Sequence, residues 1–348
     1  MAAMARRDLR TLPKAHLHLH FTGSMRHATL LELAERDRIV LPDALVEDWP
    51  PRLSAADEKG WFRFQRLYDV ARSVLRTPED VHRLVREAAE DDVADGGRWL
   101  EIQVDPSGYA ARFGGITAFT DLVLDCVRDA SAATGLGIGV VIAANRTRHP
   151  LDARTLARLA AQYADRGVVG FGLSNDERRG RTAEFAPAFG IARRAGLLLA
   201  PHGGELRGPE HVRVCLDELQ AQRLGHGVRV VEDPALLDRV VRAGVALELC
   251  PVSNVALGVY SDLSSVPLPQ LLAAGATVAL GADDPLLFGS RLAGQYATMR
   301  AAHGLTDAEL ARLAAMSFTA SRAPQWLRSQ ARTAIDAWLD SPPERMSA

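Results

Sequence analysis

The sequence predicts an α/β fold, a (β/α)8 barrel with a helical insertion after its first strand. Two observations carry that expectation. Eight short runs rich in Val, Ile and Leu recur along the 348 residues, alternating with amphipathic stretches, which implies a parallel sheet covered by helices. Residues capable of chemistry fall at the downstream ends of these runs, whereas the upstream connections hold simple turn pairs such as Arg166-Gly167, Ala195-Gly196, Ala243-Gly244 and Ala274-Gly275. In a closed barrel the downstream ends meet on one rim, where active sites sit.

The first run, residues 15–21, alternates polar and apolar residues from His16 to His20, the period of a half-buried strand. Successive strand side chains point to opposite faces, which predicts His16, His18 and His20 on one face. At roughly 3.3 Å per residue, His16 and His20 lie about 13 Å apart, too far to share an ion, whereas neighbours about 6.6 Å apart can lean onto one. Three imidazoles on one strand face have no packing reason to be there, so a metal-binding strand is expected. Residues 25–97 then interrupt the repeat and are far too long for a single crossover helix. Stretches 29–36, 61–75 and 78–92 have helical patterning, with Pro42 and Pro50-Pro51 marking loops. This excursion leaves from the rim and can cover the pocket. Trp61, Phe62, Phe64, Leu67 and Tyr68 are either the aromatic face of that cover or ordinary helix core.

The remaining strands are expected at 99–104, 138–143, 168–173, 197–201, 222–226, 245–250 and 277–280. Their downstream ends carry, in turn, Asp105, Asn145-Arg146, Ser174-Asn175-Asp176-Glu177, His202 with Glu205, His226, Ser253-Asn254 and Asp283-Asp284. Helical stretches between them include 117–134, 152–166, 182–195 and 234–243. One unit over 1–340 is expected, with a frayed tail at 341–348.

Composition narrows the function. Apolar residues at 47% and charged residues at 24% supply a large core and argue against global disorder. A net charge of -2 argues against nucleic acid or an acidic membrane as partner. Cys126, Cys215 and Cys250 are odd in number and lack CxxC spacing, which fits a reducing cytoplasm. The first ten residues have charge but no apolar core, so no signal peptide is expected there, and no apolar run is long enough to span a bilayer. A cytoplasmic protein acting on a small molecule is the expectation, with its oligomeric state left open.

On the rim, His18, His20, His202 and Asp283 offer three imidazoles and a carboxylate, a donor set suited to zinc with one position open for water. Lysine occurs only at 14 and 59, so no carbamylated lysine on the fourth strand can bridge two ions, and one Zn2+ per chain is the simpler arrangement. Glu205 lies three residues after His202 in Pro201-His202-Gly203-Gly204-Glu205, where the glycines let the chain turn back over the pocket. A carboxyl there can serve as acid or base, with burial raising its pKa. The glycine-flanked His226 serves equally well as a structural residue when taken alone. In this constellation a role beside the metal-site water is favoured.

At these residues the chain resembles the adenosine deaminase family of metal-dependent hydrolases, which are TIM barrels. That family's Pro-Lys-x-Glu-Leu-His-x-His-Leu-Asp-Gly appears here as Pro13-Lys14-Ala15-His16-Leu17-His18-Leu19-His20-Phe21-Thr22-Gly23. His202-Gly203-Gly204-Glu205, Gly225-His226-Gly227, Cys250-Pro251 with Ser253-Asn254, and Asp283-Asp284-Pro285 follow in the family's order and spacing. The resemblance implies zinc on His18, His20, His202 and Asp283. It implies that Glu205 protonates N1 of a purine, and that His226 and Asp283 orient and deprotonate the water attacking C6. Asp284 would bond N7, and Asn175 stands where the family contacts N3 through a backbone N–H. The H-x-E with P-C-x-x-C signature of cytidine-type deaminases is absent.

Three departures bear on substrate. His16 replaces a Glu. Thr22 stands in place of the Asp that meets a ribose 5′-hydroxyl, and Arg63 and Arg66 lie in a helix that is mostly apolar in adenosine enzymes. These features resemble actinobacterial aminodeoxyfutalosine deaminases, of menaquinone biosynthesis, whose adenosine-like substrate carries a carboxyphenyl ketone on its 5′ side. Arg63, Arg66 and Arg148 are therefore either partners for that carboxylate or solvated surface arginines. Adenosine and adenine deaminases are the alternatives among enzymes. A binding protein on a retired barrel would be expected to have lost a ligand or Glu205, and neither is lost.

Overall fold

The computed structural model describes residues 7–55 and 57–342. Eight parallel strands, β1 (Lys14–His20), β2 (Gly97–Val104), β3 (Gly137–Asn145), β4 (Val168–Ser174), β5 (Leu198–Gly203), β6 (Arg223–His226), β7 (Ala246–Leu249) and β8 (Val278–Leu280), pair in sequence order. The sheet closes where Leu19 bridges Asp283: His20 N donates to Asp283 O and Asp283 N to His18 O, both at 3.0 Å. This is the expected (β/α)8 barrel. Leu17, Leu224, Leu247, Leu249, Val278 and Leu280 are buried in its core.

After β1 the insertion supplies α1 (His27–Arg36), α2 (Glu58–Ser73) and α3 (Pro78–Ala94). Helix α3 begins with a capping box in which the Thr77 side chain and the Asp80 carboxylate satisfy each other's backbone N–H. The outer layer continues with α4 (Ile116–Thr134), α5 (Pro150–Gln162), α6 (Ala186–Arg194), α7 (Pro209–Asp217) and α8 (Pro234–Arg242). The short α9 (Pro251–Ala256), α10 (Leu268–Ala273) and α11 (Pro285–Phe288) flank β8, and α12 (Leu292–His303), α13 (Asp307–Ala320) and α14 (Gln325–Asp340) complete the chain. No helix among the described residues is long and apolar enough to cross a membrane. Of the tail expected at 341–348, residues 343–348 lie outside those described.

Two local expectations are corrected. The helix expected over 182–195 divides into a 3-10 turn, Thr182–Phe185, and α6, because Pro187 has no N–H for a preceding turn and suits only a helix's first positions. The single face expected for the three strand histidines is also broken. Between His16 and Leu19 the pairing of β1 with β2 slips, Leu100 facing His16 and Ile102 facing Leu19, so one extra residue on β1 interrupts the alternation. His16 Nδ1 lies 2.8 Å from the Asp92 carboxylate in α3, and its Nε2 accepts the Ala282 N–H at 3.0 Å. It thus ties β1 to the β8 end and leaves His18 and His20 to the cavity.

Candidate active site

A deep cavity opens on the downstream rim, lined by His20, His202, Glu205, His226, Asp283 and Asp284 among others. His18 lies beneath it. Its Nδ1 is 2.6 Å from Glu248 Oε2 in β7, which places the ring proton there and leaves the Nε2 lone pair, buried without a protein partner, aimed at the other imidazoles. His20 Nε2 is 3.2 Å from His202 Nε2 and 3.2 Å from Asp283 Oδ1. Gly225 makes room for these rings: a Cβ there would stand 3.0 Å from both His18 Cε1 and His202 Cγ. The donor atoms of His18, His20 and His202 lie within 4.8 Å of one another, with Asp283 beside them. Two facing imidazole nitrogens, an unpartnered third and a carboxylate are what a divalent cation needs, so the residues fit a metal of zinc's preference.

Electrostatics around this cluster are strong. Burial drives the His202 pKa well below its usual value, and the neighbouring His18, His20 and His226 add to the effect. For His20 burial opposes the charge, but the Asp284 and Asp283 carboxylates outweigh it and lift the pKa to about 9. Burial likewise opposes ionisation of Asp283, yet its bond to His20 and the charges of His226, His20 and His18 hold its pKa below the carboxylate range. Asp283, His226 and Asn175 adopt positive φ of 62°, 62° and 79°, left-handed conformations at the ends of three strands that turn their side chains over the rim.

Glu205 and His226 face each other, His226 Nε2 to Glu205 Oε2 at 3.6 Å. Burial first, then the charges of Asp283 and Glu177, raises the Glu205 pKa well above the usual carboxylate value and so favours its protonated form. Its Oε1 is buried without a partner. Burial and the charge of His18 lower His226 to about 4, which keeps it neutral. The Asn254 amide is 3.3 Å from His226 Nδ1. With the amide nitrogen toward Nδ1 the proton sits on Nε2; with the oxygen there Nε2 is a free base. Asp284 also holds a proton at neutral pH, lifted to about 8 by burial and the charge of Asp283 despite the opposing pull of His20, and its Oδ1 has no partner.

Asn175 lines the cavity and tethers α2, accepting from Trp61 Nε1 at 3.1 Å and donating to Gln65 Oε1 at 3.0 Å. Helix α2 turns Trp61, Phe64, Gln65, Tyr68 and Arg72 to the cavity, a single helical face. Arg63 and Arg66 fall on the opposite face, are exposed and do not line the cavity, which favours the surface-arginine alternative for both; Arg72 is the arginine among the lining residues. Arg148 is exposed in a shallower outer groove that adjoins the cavity and shares Arg72 with it. Thr22 is fully buried and does not line the cavity; its hydroxyl bonds that of Tyr109, which does.

Around the site, Glu177 and Arg146 were placed on the rim by the sequence but given no role, and Glu101, Arg223 and Glu248 were not singled out. Glu177 accepts backbone N–H groups from the Glu205 loop, and Arg146 donates to His202 O at 2.6 Å. Beneath His18, Glu248 pairs with Arg223, which also pairs with Glu101 across the barrel floor. The available signal was a charged residue inside an apolar strand, as in Ala246-Leu247-Glu248-Leu249, where burial demands a partner.

Comparison with known proteins follows the same lines. A family model described as adenosine deaminase matches residues 13–338. A Streptomyces virginiae protein provisionally named adenosine/adenine deaminase is 62% identical over 333 residues, covering 96% of this chain and 98% of its own. The adenine deaminase of Cupriavidus necator is 35% identical over 343 residues, 99% of this chain and 96% of its own. The crystal structure of an Arthrobacter aurescens adenine deaminase aligns with TM-score 0.87 at 28% identity, covering 94% of this chain and 99% of that one.

Proposed function

This chain belongs to the adenosine deaminase family, and from that premise we propose that it hydrolyses the C6 amino group of a purine nucleoside, with one zinc per chain. The observation that carries this reading is the convergence at one cavity of Glu205, whose protonated form burial favours, a neutral His226 and the His20, His202 and Asp283 donors, with His18 beneath them. His18, His20, His202 and Asp283 would hold the zinc, which would supply an acidified water by lowering its pKa from about 15.7 to about 7. Glu205 gives its proton to N1, which makes C6 electrophilic, while Asp284 donates to N7 and the Asn175 N–H meets N3. His226 and Asp283 orient the attacking water and receive its proton. Water's oxygen becomes the C6 carbonyl and N1 keeps its new hydrogen. Of the two protons from water, one leaves with the amino group as ammonia and one restores Glu205.

For the far side of the substrate, the reading is a 5′-modified adenosine such as 6-aminodeoxyfutalosine. Its support is that the Thr22 hydroxyl is taken by Tyr109, leaving a plain 5′-hydroxyl without that partner, while the cavity runs on to Asp105 and Arg72. Arg72 is ion-paired with Asp69, and its fork keeps further N–H donors for a carboxylate. Adenine itself is the second reading, favoured by the Cupriavidus and Arthrobacter relatives, which are adenine deaminases. A small-molecule purine as partner, and the cytoplasm as its place, complete the reading; the three free, buried cysteines accord with a reducing compartment. The test is kcat/KM for 6-aminodeoxyfutalosine, adenosine and adenine, read from loss of adenine absorbance. The 5′-modified nucleoside should be preferred. Adenosine or adenine better by about tenfold, some 1.4 kcal/mol, would replace it.

A further inference from the structure

We propose that Glu177, held by His211 and Arg146, is a positioning residue for Glu205, fixing the turn between β5 and α7 so that the Glu205 carboxyl enters the cavity. The proposal rests on the reading of Glu205 as the proton donor. Glu177 itself does not line the cavity and is buried. Its carboxylate accepts the N–H groups of three consecutive residues: Glu205 at 3.1 Å, Leu206 at 2.9 Å and Arg207 at 2.9 Å. Consecutive amides pointing at one anion form a concave nest, so the loop is wrapped on Glu177 and its dihedrals are set by that anion.

The other end of the turn is held as firmly. Arg146 donates to His202 O at 2.6 Å and to Leu173 O at 3.3 Å. The same guanidinium donates to His211 Nε2 at 3.1 Å, which puts the imidazole proton on Nδ1, 3.4 Å from Glu177 Oε2. The Thr182 hydroxyl, 2.8 Å from His211 Nε2, completes the shell. Between the two anchors Gly204 has φ of 80°, and a Cβ there would collide with Val212, so the turn has no room to relax another way. Burial works against the Glu177 charge, but His211, Arg146 and the backbone donors outweigh it and hold the pKa at about 2, so the nest keeps its anion at neutral pH.

A loop anchor that only stabilised the fold would leave the catalytic step alone, and a double-mutant cycle separates the two roles. Wild type, Glu177→Gln, Glu205→Gln and the double variant are purified with zinc and assayed on adenosine and adenine. Glu177→Gln should lower kcat about 10–100-fold through misplacement of the acid, with KM within about threefold and zinc content unchanged. In the Glu205→Gln background the same change should cost less than about twofold, because the group it positions is already disabled. Full activity in Glu177→Gln, multiplicative losses in the double variant, or loss of zinc would each overturn the assignment. A Glu205→Gln enzyme of wild-type rate would instead remove the acid role on which it rests. If Glu177→Gln does not fold, His211→Gln takes its place in the same cycle with the same opposing outcomes.

Discussion

Glu205 and His226 stand 3.6 Å apart in one buried cavity, yet burial moves their protons in opposite directions. It favours the neutral form of each, protonated for a carboxyl and deprotonated for an imidazole, so the pair is set as acid and base at the same pH. His226 groups with Glu205 and Asp283 and not with His18, His20 and His202, and its Nδ1 is turned to Asn254. We therefore expect His226→Ala to cut turnover by about 100-fold or more while retaining its zinc in elemental analysis; a variant that loses the ion would make His226 a ligand. Glu205→Gln, similar in shape but without the proton, should fall by at least about 100-fold with its circular dichroism unchanged. Both residues were legible in the sequence, because glycines beside a polar residue at a strand end point to a crowded pocket. Arg146 and Glu177 were visible as rim residues but their roles were not, since those depend on partners tens of residues away.

Helix α2 shows how an element selects among its own residues. Trp61, Phe64, Gln65, Tyr68 and Arg72 share the face toward the cavity, and Arg63 and Arg66 face solvent. Arg72→Ala should raise KM about tenfold for a substrate with a 5′-side carboxylate, the loss of one charge-assisted bond, whereas Arg63→Ala and Arg66→Ala should leave kinetics unchanged. An equal effect of all three on substrate binding would show that only net charge matters. Helix α3 offers a stability test. Asp80 bonds Arg36 of α1 at 2.6 Å and accepts the Arg76 and Thr77 N–H groups at 2.9 Å. Burial opposes its charge, but these partners prevail and depress its pKa from 3.8 to about 2. A carboxylate depressed on folding stabilises the protein above its unfolded pKa, and that stability is lost as pH falls from about 4 toward 2. Asp80→Asn should accordingly lower Tm near neutrality, with the gap to wild type closing across that acid window. A gap independent of pH would mean that the carboxylate's charge contributes nothing.

At the scale of the whole molecule, the candidate ligands come from β1, β5 and β8, so one ion would join opposite walls of the barrel. The β1–β8 seam is also its shortest junction, a single bridge between Leu19 and Asp283. Zinc removal should therefore lower Tm by several degrees, since an ion at about 1,000 times its Kd stabilises the fold by about 4 kcal/mol. The accompanying loss of hydrogen-exchange protection should concentrate on β1 and β8. Elemental analysis should find about one equivalent, on the four-ligand argument; two tightly held ions, or an unchanged Tm on chelation, would contradict the mononuclear site.

What the sequence determined by itself was the barrel, its rim and the identity of the polar groups on it. The reason is that strand and helix periods, turn residues and strand-end chemistry are local, and a closed parallel sheet brings all its downstream ends to one side. Tertiary structure alone decided which of those groups meet. One extra residue on β1 took His16 out of the metal face and gave it to Asp92 and Ala282. Helix α2's rotation exchanged Arg63 and Arg66 for Arg72, and Tyr109 claimed the Thr22 hydroxyl. Buried charges such as Glu248, Arg223 and Glu177 could be seen as residues but not as a network, because a buried ion is tolerated only through partners that the fold brings from distant parts of the chain.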